Sequence, residues 1–271
     1  VSGEPAGGAG ILARYARVLE AVAAAPEGLS LTETARATGL PRGTVHRLIG
    51  ALLEVGYLAA RDGRKVYVLG PRLVHLLHLG AGTAPVAALV RPALEGLAAR
   101  FGETAFLARL RGERVEALAM VAPSGAAGRA HVRPGRVLPL HAAASAKAIF
   151  AFQDEERVAR ALARPRLGYT AATRVEEGEV RAELEQVRRA GYARCANELD
   201  PGVLSYAVPV RLPGGAVFYS VGLVGLDQRL AARDPAEVVA ALGEAAATIA
   251  ERLAEDLPRA VEAPARAEGQ R

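Results

Sequence analysis

Four side chains able to bond a polar surface, Arg42, Thr44, His46 and Arg47, crowd the positions just after Pro41. An Arg guanidinium forks onto a guanine edge or a phosphate, and a Thr hydroxyl bonds a phosphate oxygen. Further on, Arg61, Arg64 and Lys65 flank an Asp-Gly pair. The rest of the chemistry-bearing residues offer less. Ser145 and Lys147 suggest a nucleophile and an activating amine, but positions i and i+2 of a helix point about 200° apart, which makes direct activation geometrically poor. His75 and His78, spaced i,i+3, could share a metal ion, yet no third ligand accompanies them. His141 precedes a helix and reads as a local hydrogen-bonding residue. Cys195 is the single cysteine, which excludes an internal disulfide and any Cys-rich zinc site. In a strand it reads as a small buried hydrophobe sooner than a redox sensor. The sequence thus presents no catalytic set, no metal site and no cofactor motif.

The elements that must carry the first group are legible around it. Ile11, Leu12, Tyr15, Val18, Leu19 and Val22 recur at helical spacing, and Pro26 and Gly28 end that helix. Ser30 with Glu33 three residues later is a capping box opening a second helix, which Gly39 stops. Pro41 starts a third, with Val45, Leu48, Ile49, Leu52 and Leu53 on one side and Arg42, Thr44, His46 and Arg47 on the other. Ala35 and Gly39 supply the small contact and permissive turn that two steeply crossing helices need. Residues 57–60 and 65–69 are β-capable and joined through Asp62-Gly63, which suits the positive φ angles of a type I′ turn. Together these parts spell a winged helix-turn-helix over residues 10–70, its third helix presenting its N-terminal end to a major groove. Residues 1–88 hold nine basic against six acidic side chains, and five of the nine lie on the third helix or the hairpin tip. A helix-helix-hairpin also serves as a protein-binding module; spacing, wing and basic placement together favour double-stranded DNA.

With 271 residues, 51% hydrophobic and 23% charged, the chain has length for about two globular domains, and a net charge of +5 permits a nucleic-acid partner without demanding one. Residues 71–88 read as a linker helix. Beyond Thr104, strands and helices alternate: a hairpin of 104–111 and 114–121 around Gly112, a strand at 136–140, an Ala-rich helix near 142–152, a helix at 179–190 ended by Gly191, strands at 192–197, 203–212 and 216–226, and a last helix near 235–256. The class is α+β, with a mixed α/β sensor-like domain over residues 89–257. Residues 1–9 read as a flexible arm and 258–271 as a flexible tail. The uncharged stretch 73–90 is too polar and too broken by Gly and Pro to span a membrane, and no export signal is visible, so a cytoplasmic protein without a membrane partner is expected.

The run GLSLTETARATGLPRGTVHRLIGALLEVGYL, followed by DGRKVYVLGPRL, resembles the DNA-binding half of the IclR family of bacterial transcription regulators. The resemblance continues through VRPALEGLAARFGETAFLARL and PLHAAASAKAIFA to LEQVRRAGYARCANELDPGVLSYAVPV, covering roughly residues 11–255. It implies an N-terminal winged helix, a linker helix and a C-terminal GAF-like effector domain. It also implies a homodimer or dimer of dimers on palindromic operators, foremost a repressor, answering to a small organic or aromatic acid. The family's effector position maps here onto Ala144 and Ser145 at a strand-to-helix junction, with Cys195, Ser205, Gly222 and Val224 on the facing strands.

That junction should also leave free backbone N–H groups, which favour a carboxylate. Members that take small hydrophilic acids tend to carry a carboxylate where Cys195 stands and hydroxyls where Gly222 and Val224 stand; Ala146 replaces a common glycine. Each missing partner would leave a ligand polar group unpaired, at roughly 1–3 kcal/mol. The resemblance therefore implies an effector more apolar than glyoxylate or pyruvate, aromatic or branched. Two other readings stay open: a pocket filled by its own side chains in a domain that only oligomerises, and a small-molecule enzyme with a helical adaptor, for which the residues offer no nucleophile-base set.

Overall fold

Residues 7–61, 65–70, 72–73, 76, 82–123 and 132–255 are described in a computed structural model. The chain divides into two units, Val1–Gly80 and Ala81–Arg271. In the first, α1 (Gly7–Ala23) precedes β1 (Leu29–Ser30), α2 (Leu31–Thr38), α3 (Arg42–Glu54), β2 (Leu58–Ala60) and β3 (Val66–Leu69). The capping box forms as expected: Glu33 N donates to Ser30 Oγ at 3.3 Å and Ser30 N donates to Glu33 Oε2 at 2.8 Å. Gly39, at φ 68°, ends α2 in the left-handed region. Val18 and Val22 of α1 meet Val45, Leu48, Ile49 and Leu52 of α3 and Leu58 of β2, so the 3.6-residue apolar period becomes the core.

Two features of this unit depart from the sequence reading. Residues 7–9, expected in the arm, are already helical. Residues 29–30, too short to give a strand signal, pair with β3, making a three-stranded antiparallel sheet of order β1-β3-β2. Gly28 permits that pairing. At φ 83° it lies so close to β3 that a Cβ would come within 2.8 Å of Tyr67 O. The Asp62-Gly63 turn lies outside the described residues, as do His75 and His78.

The second unit opens with α4 (Thr83–Phe101), followed by β4 (Thr104–Arg111), β5 (Arg114–Val121), β6 (Val137–Leu138), α5 (Ala144–Phe150), α6 (Glu155–Leu162) and α7 (Glu177–Ala190). It continues with β7 (Ala193–Ala196), β8 (Val203–Arg211), β9 (Val217–Leu226), α8 (Asp227–Leu230) and α9 (Pro235–Glu255). The expected boundary between residues 88 and 89 therefore falls inside one continuous helix, and α4 belongs to this unit from its start. Most of residues 71–81, the first part of the expected linker, lie outside the described residues.

Six antiparallel strands form one sheet of order β6-β5-β4-β9-β8-β7. Every residue of β9 up to Gly225 is buried, so helices cover both sheet faces and the strand reads as a continuous apolar run. α5 lies on the face of Ser220, whose Oγ donates to Ser145 O at 3.1 Å. β6 and α5 are shorter than expected because a turn intervenes, Ala142 N and Ala143 N both donating to Pro139 O. α6, unanticipated, starts on Asp154, whose carboxylate accepts from Arg157 N at 2.7 Å.

Replacing Ser30 by Ala should cost about 1 kcal/mol in a urea melt. The Ser30 hydroxyl and backbone N–H also hold the Glu33 carboxyl below its usual value. That contribution is complete above the ordinary carboxylate pKa and is lost as pH falls from there through the lowered folded value. Melts of Ser30→Ala should accordingly lose the hydroxyl's share of this acid dependence and keep the share of the backbone N–H.

Candidate nucleic-acid interface and effector cavity

Pro41, at φ −56° and ψ 139°, turns the chain into α3 without a side-chain cap. Its carbonyl accepts from Thr44 N at 2.9 Å and Val45 N at 3.0 Å, while the N–H groups that open a helix have no intrahelical acceptor. The α3 core residues point inward, leaving Arg42, His46 and Arg47 exposed and Thr44 half-buried, all free of ion pairs among the described residues. Lys65 is exposed at the start of β3. Arg61, also exposed, is committed: its Nη1 donates to Glu27 Oε2 at 3.0 Å and to Glu27 O at 3.3 Å. Such an exposed pair contributes little to stability. Arg64 lies outside the described residues.

In the second unit a cavity of about 300 Å³ opens between α5 and the sheet. Ala144, Ser145, Cys195, Ser205 and Val224 all line it, which brings together residues spread over eighty positions of sequence. Gly222 does not line it. Phe106, its register partner across β4 and β9, lies over it, and a Cβ there would come within 2.9 Å of the Phe106 ring and 2.6 Å of Tyr206 O. Gly222 therefore makes room for Phe106, and it is the Phe106 ring that forms the wall. The sequence reading also missed Arg136, Glu198 and Asp200, which reach the cavity from loops.

Lys147, on α5 with no exposed surface, anchors the wall from behind. Its Nζ donates to Glu198 Oε2 at 2.6 Å and to Glu183 Oε1 on α7 at 2.8 Å. Arg174 approaches the same two carboxylates at 3.3 and 3.5 Å. Burial pulls the ammonium pKa down, while the Cys195 sulfur and the two carboxylates push it up, and the push prevails. Burial also raises the Cys195 thiol well above its ordinary range and keeps it protonated. Cys195 Sγ donates to Ala142 O at 2.8 Å. It is a buried donor, and Lys147 answers carboxylates instead of activating Ser145.

The loop that carries Glu198 is held by its neighbours. Asn197 takes a left-handed conformation at φ 60°, its Oδ1 accepting from Gly202 N at 2.6 Å. Thr170 Oγ1 and Thr173 Oγ1 donate to the carbonyls of Asn197 and Glu198, each at 2.6 Å. His141 stacks on Tyr169 with centroids 5.7 Å apart, and its Nε2 lies 2.9 Å from Leu167 O, a local structural role. Among the described residues no three His, Cys, Asp or Glu side chains gather as a metal ion would require, and no helix is long and apolar enough to cross a membrane.

An exposed polar helix face in one unit and a walled cavity in the other define a helix-turn-helix protein with a second, cavity-bearing domain. Comparison gives it a family: residues 11–62 match the IclR helix-turn-helix domain and residues 80–251 the bacterial transcriptional regulator IclR C-terminal domain. The chain is 33% identical over 208 residues to the HTH-type transcriptional regulator Rv1719 of Mycobacterium tuberculosis, covering 76% of this chain and 78% of that one. It is 32% identical over 219 residues to the HTH-type transcriptional regulator TtgV of Pseudomonas putida, covering 81% and 82%. Among solved structures, an IclR homologue from Microbacterium hydrocarbonoxydans complexed with 4-hydroxybenzoate superposes with a TM-score of 0.58 at 26% identity, over 90% of this chain and 98% of that one. The chain belongs to the IclR family: it is a DNA-binding transcriptional regulator and not an enzyme.

Lys147→Met should leave the buried Glu198 and the partly buried Glu183 without their ammonium, with only the exposed Arg174 nearby, and destabilise the protein by about 3 kcal/mol in chemical denaturation. Cys195 should resist a disulfide reagent such as DTNB at pH 8 in the folded protein and react at once in denaturant, since only unfolding removes the burial that keeps it protonated.

Proposed function

We propose that this regulator is a repressor that holds a palindromic operator as a homodimer or dimer of dimers and releases it when a small organic or aromatic acid fills the cavity. It would work in the cytoplasm, where operator and metabolite meet. The observation that carries this reading is the cavity itself. It is large enough for a monocyclic acid, walled by Phe106, Val132, Leu138 and Val224, with Ser145, Ser205 and Cys195 among its polar groups. Five of the six residues expected from the family pattern meet there. The apolar walls support an aromatic or branched acid over a two- or three-carbon one, and the related protein's 4-hydroxybenzoate complex supports the same choice. On the DNA side, Arg42, Thr44, His46 and Arg47 are assigned to the major groove, and Arg61, Arg64 and Lys65 to the flanking backbone.

Genome-wide footprinting of the purified protein would supply the operator. Arg42→Ala combined with Arg47→Ala should then weaken operator binding by ~1–3 kcal/mol for each base-reading guanidinium removed. Wild type neutralising about six to eight phosphates should show a log-log salt slope of about −5 to −7, and the double variant a shallower one. Benzoate, 4-hydroxybenzoate, phenylacetate and a branched 2-oxo acid should be screened by thermal shift. A ligand at 100 times its Kd should add about 2.7 kcal/mol of stability and lower operator occupancy. Normal operator binding by the double variant would overturn the DNA assignment, and a screen without response the effector assignment.

A further inference from the structure

We propose that Arg136 is the counter-ion that selects a carboxylate for the cavity, an acidic ligand taking it over from Asp200 at the cavity mouth. This rests on the reading that the cavity holds a small acid and names the residue that recognises it. Among the described residues lining the cavity, Arg136 is the one cation, and Glu198 and Asp200 are the two acids. Glu198 is already answered: Lys147 Nζ stands 2.6 Å from its Oε2, and Arg174 stands at 3.5 Å. Lys147 in turn is divided between Glu198 and Glu183 and does not line the cavity. A carboxylate entering among Phe106, Val132 and Val224 would find no other cationic side chain lining the cavity among the described residues. The backbone N–H groups at the start of α5 can hydrogen-bond it but carry only partial charge, and a buried carboxylate is far better held with a full counter-charge.

The pairing of Arg136 with Asp200 is built to be exchanged. Arg136 Nη2 lies 3.7 Å from Asp200 Oδ2, too far for a hydrogen bond, and the side chains are 40% and 52% exposed. The guanidinium makes no hydrogen bond among the described residues, so its donors are available. Its backbone is fixed: Gly135 N donates to Ala117 O at 2.7 Å, and Ala117 N donates to Arg136 O at 2.9 Å, tying the turn to β5. Asp200 stands across the opening on the loop between β7 and β8, so the pair links two walls. A ligand carboxylate inside the mouth can accept two parallel N–H bonds in drier surroundings than Asp200 provides, which is the stronger arrangement. An ester or amide of the same acid offers no charge to make the exchange.

The two partners therefore predict effects of opposite sign, which a merely structural role would not produce. Isothermal titration of the full-length protein with benzoate, 4-hydroxybenzoate and methyl 4-hydroxybenzoate would be run on wild type, Arg136→Gln and Asp200→Asn, each checked for an unchanged melting temperature. Arg136→Gln should weaken both acids by about tenfold to a hundredfold and leave the ester within about twofold. Asp200→Asn, which releases the guanidinium and removes a repelling charge, should tighten the acids by about two- to fivefold and leave the ester unmoved. Acids binding wild type and Arg136→Gln alike, or an ester losing as much as the acids, would overturn this assignment while leaving the cavity an effector site. Wild type taking the ester and neither acid would overturn it too. Binding of none of the three would count against the aromatic-acid reading and remove this inference with it.

Discussion

A lysine ammonium with no exposed surface has to be answered where it lies, and the second unit is arranged around answering Lys147. Its two carboxylates come from separate places in the chain: Glu183 from α7, Glu198 from the loop after β7. Fixing the ammonium therefore fixes a helix and a loop against α5 at once. The desolvation cost of such a cluster is large, and an apolar replacement of similar shape could be as stable. What the ionic version adds is position. Glu198 reaches the cavity only because the Thr170 and Thr173 hydroxyls hold the loop carbonyls while Lys147 holds the side chain. With those bonds made, the neighbouring Asp200 is presented at the opening on a braced loop, not a loose one.

The cavity exists because bulk is withheld from one side and concentrated on the other. Residues 142–146 carry nothing larger than a serine side chain, so α5 and the turn before it approach the sheet without filling the space between. Across from them, Phe106 is the large wall, and it can lie flat only because its register partner is Gly222, where a Cβ would collide with the ring. A side chain at 222 would displace Phe106 or force the strands apart. The glycine thus shapes the pocket from behind its wall, a different part from the ligand-touching one that its place in the family pattern suggests.

Local signals account for what the sequence reveals. The capping box at Ser30, the left-handed stop at Gly39, the apolar period of α3 and the hairpin around Gly112 each depend on neighbours within a few residues, and each forms. β1 has only two residues and no pattern of its own; it is a strand because β3 offers it partners. The cavity is half legible. Residues on regular strands and on α5 can be placed by family pattern, whereas Arg136, Glu198 and Asp200 sit on loops whose course is set by hydrogen bonds from segments 25 or more residues distant, or by a turn clamped to β5. Lys147 invites comparison with Ser145, its neighbour in sequence, because nothing local announces that its charge belongs to residues 36 and 51 positions away.

Charge is used in opposite ways by the two units. Arg42, Arg47 and Lys65 remain exposed and, among the described residues, without internal partners, so their field extends into solvent and is not quenched at short range. Even Arg61, the member that has found a carboxylate, holds it at an exposed site where water already weakens the bond. The cavity works the other way. An enclosed site that left several charges unanswered would draw in any counter-ion. The cavity's buried charges are neutralised among themselves, by Lys147 at 2.6 and 2.8 Å, and Arg136 at its mouth is kept at 3.7 Å from an acid it can leave. Tight pairing sets the shape of the site, loose pairing leaves it something to exchange, and the difference between the two follows from how much water each pair can see.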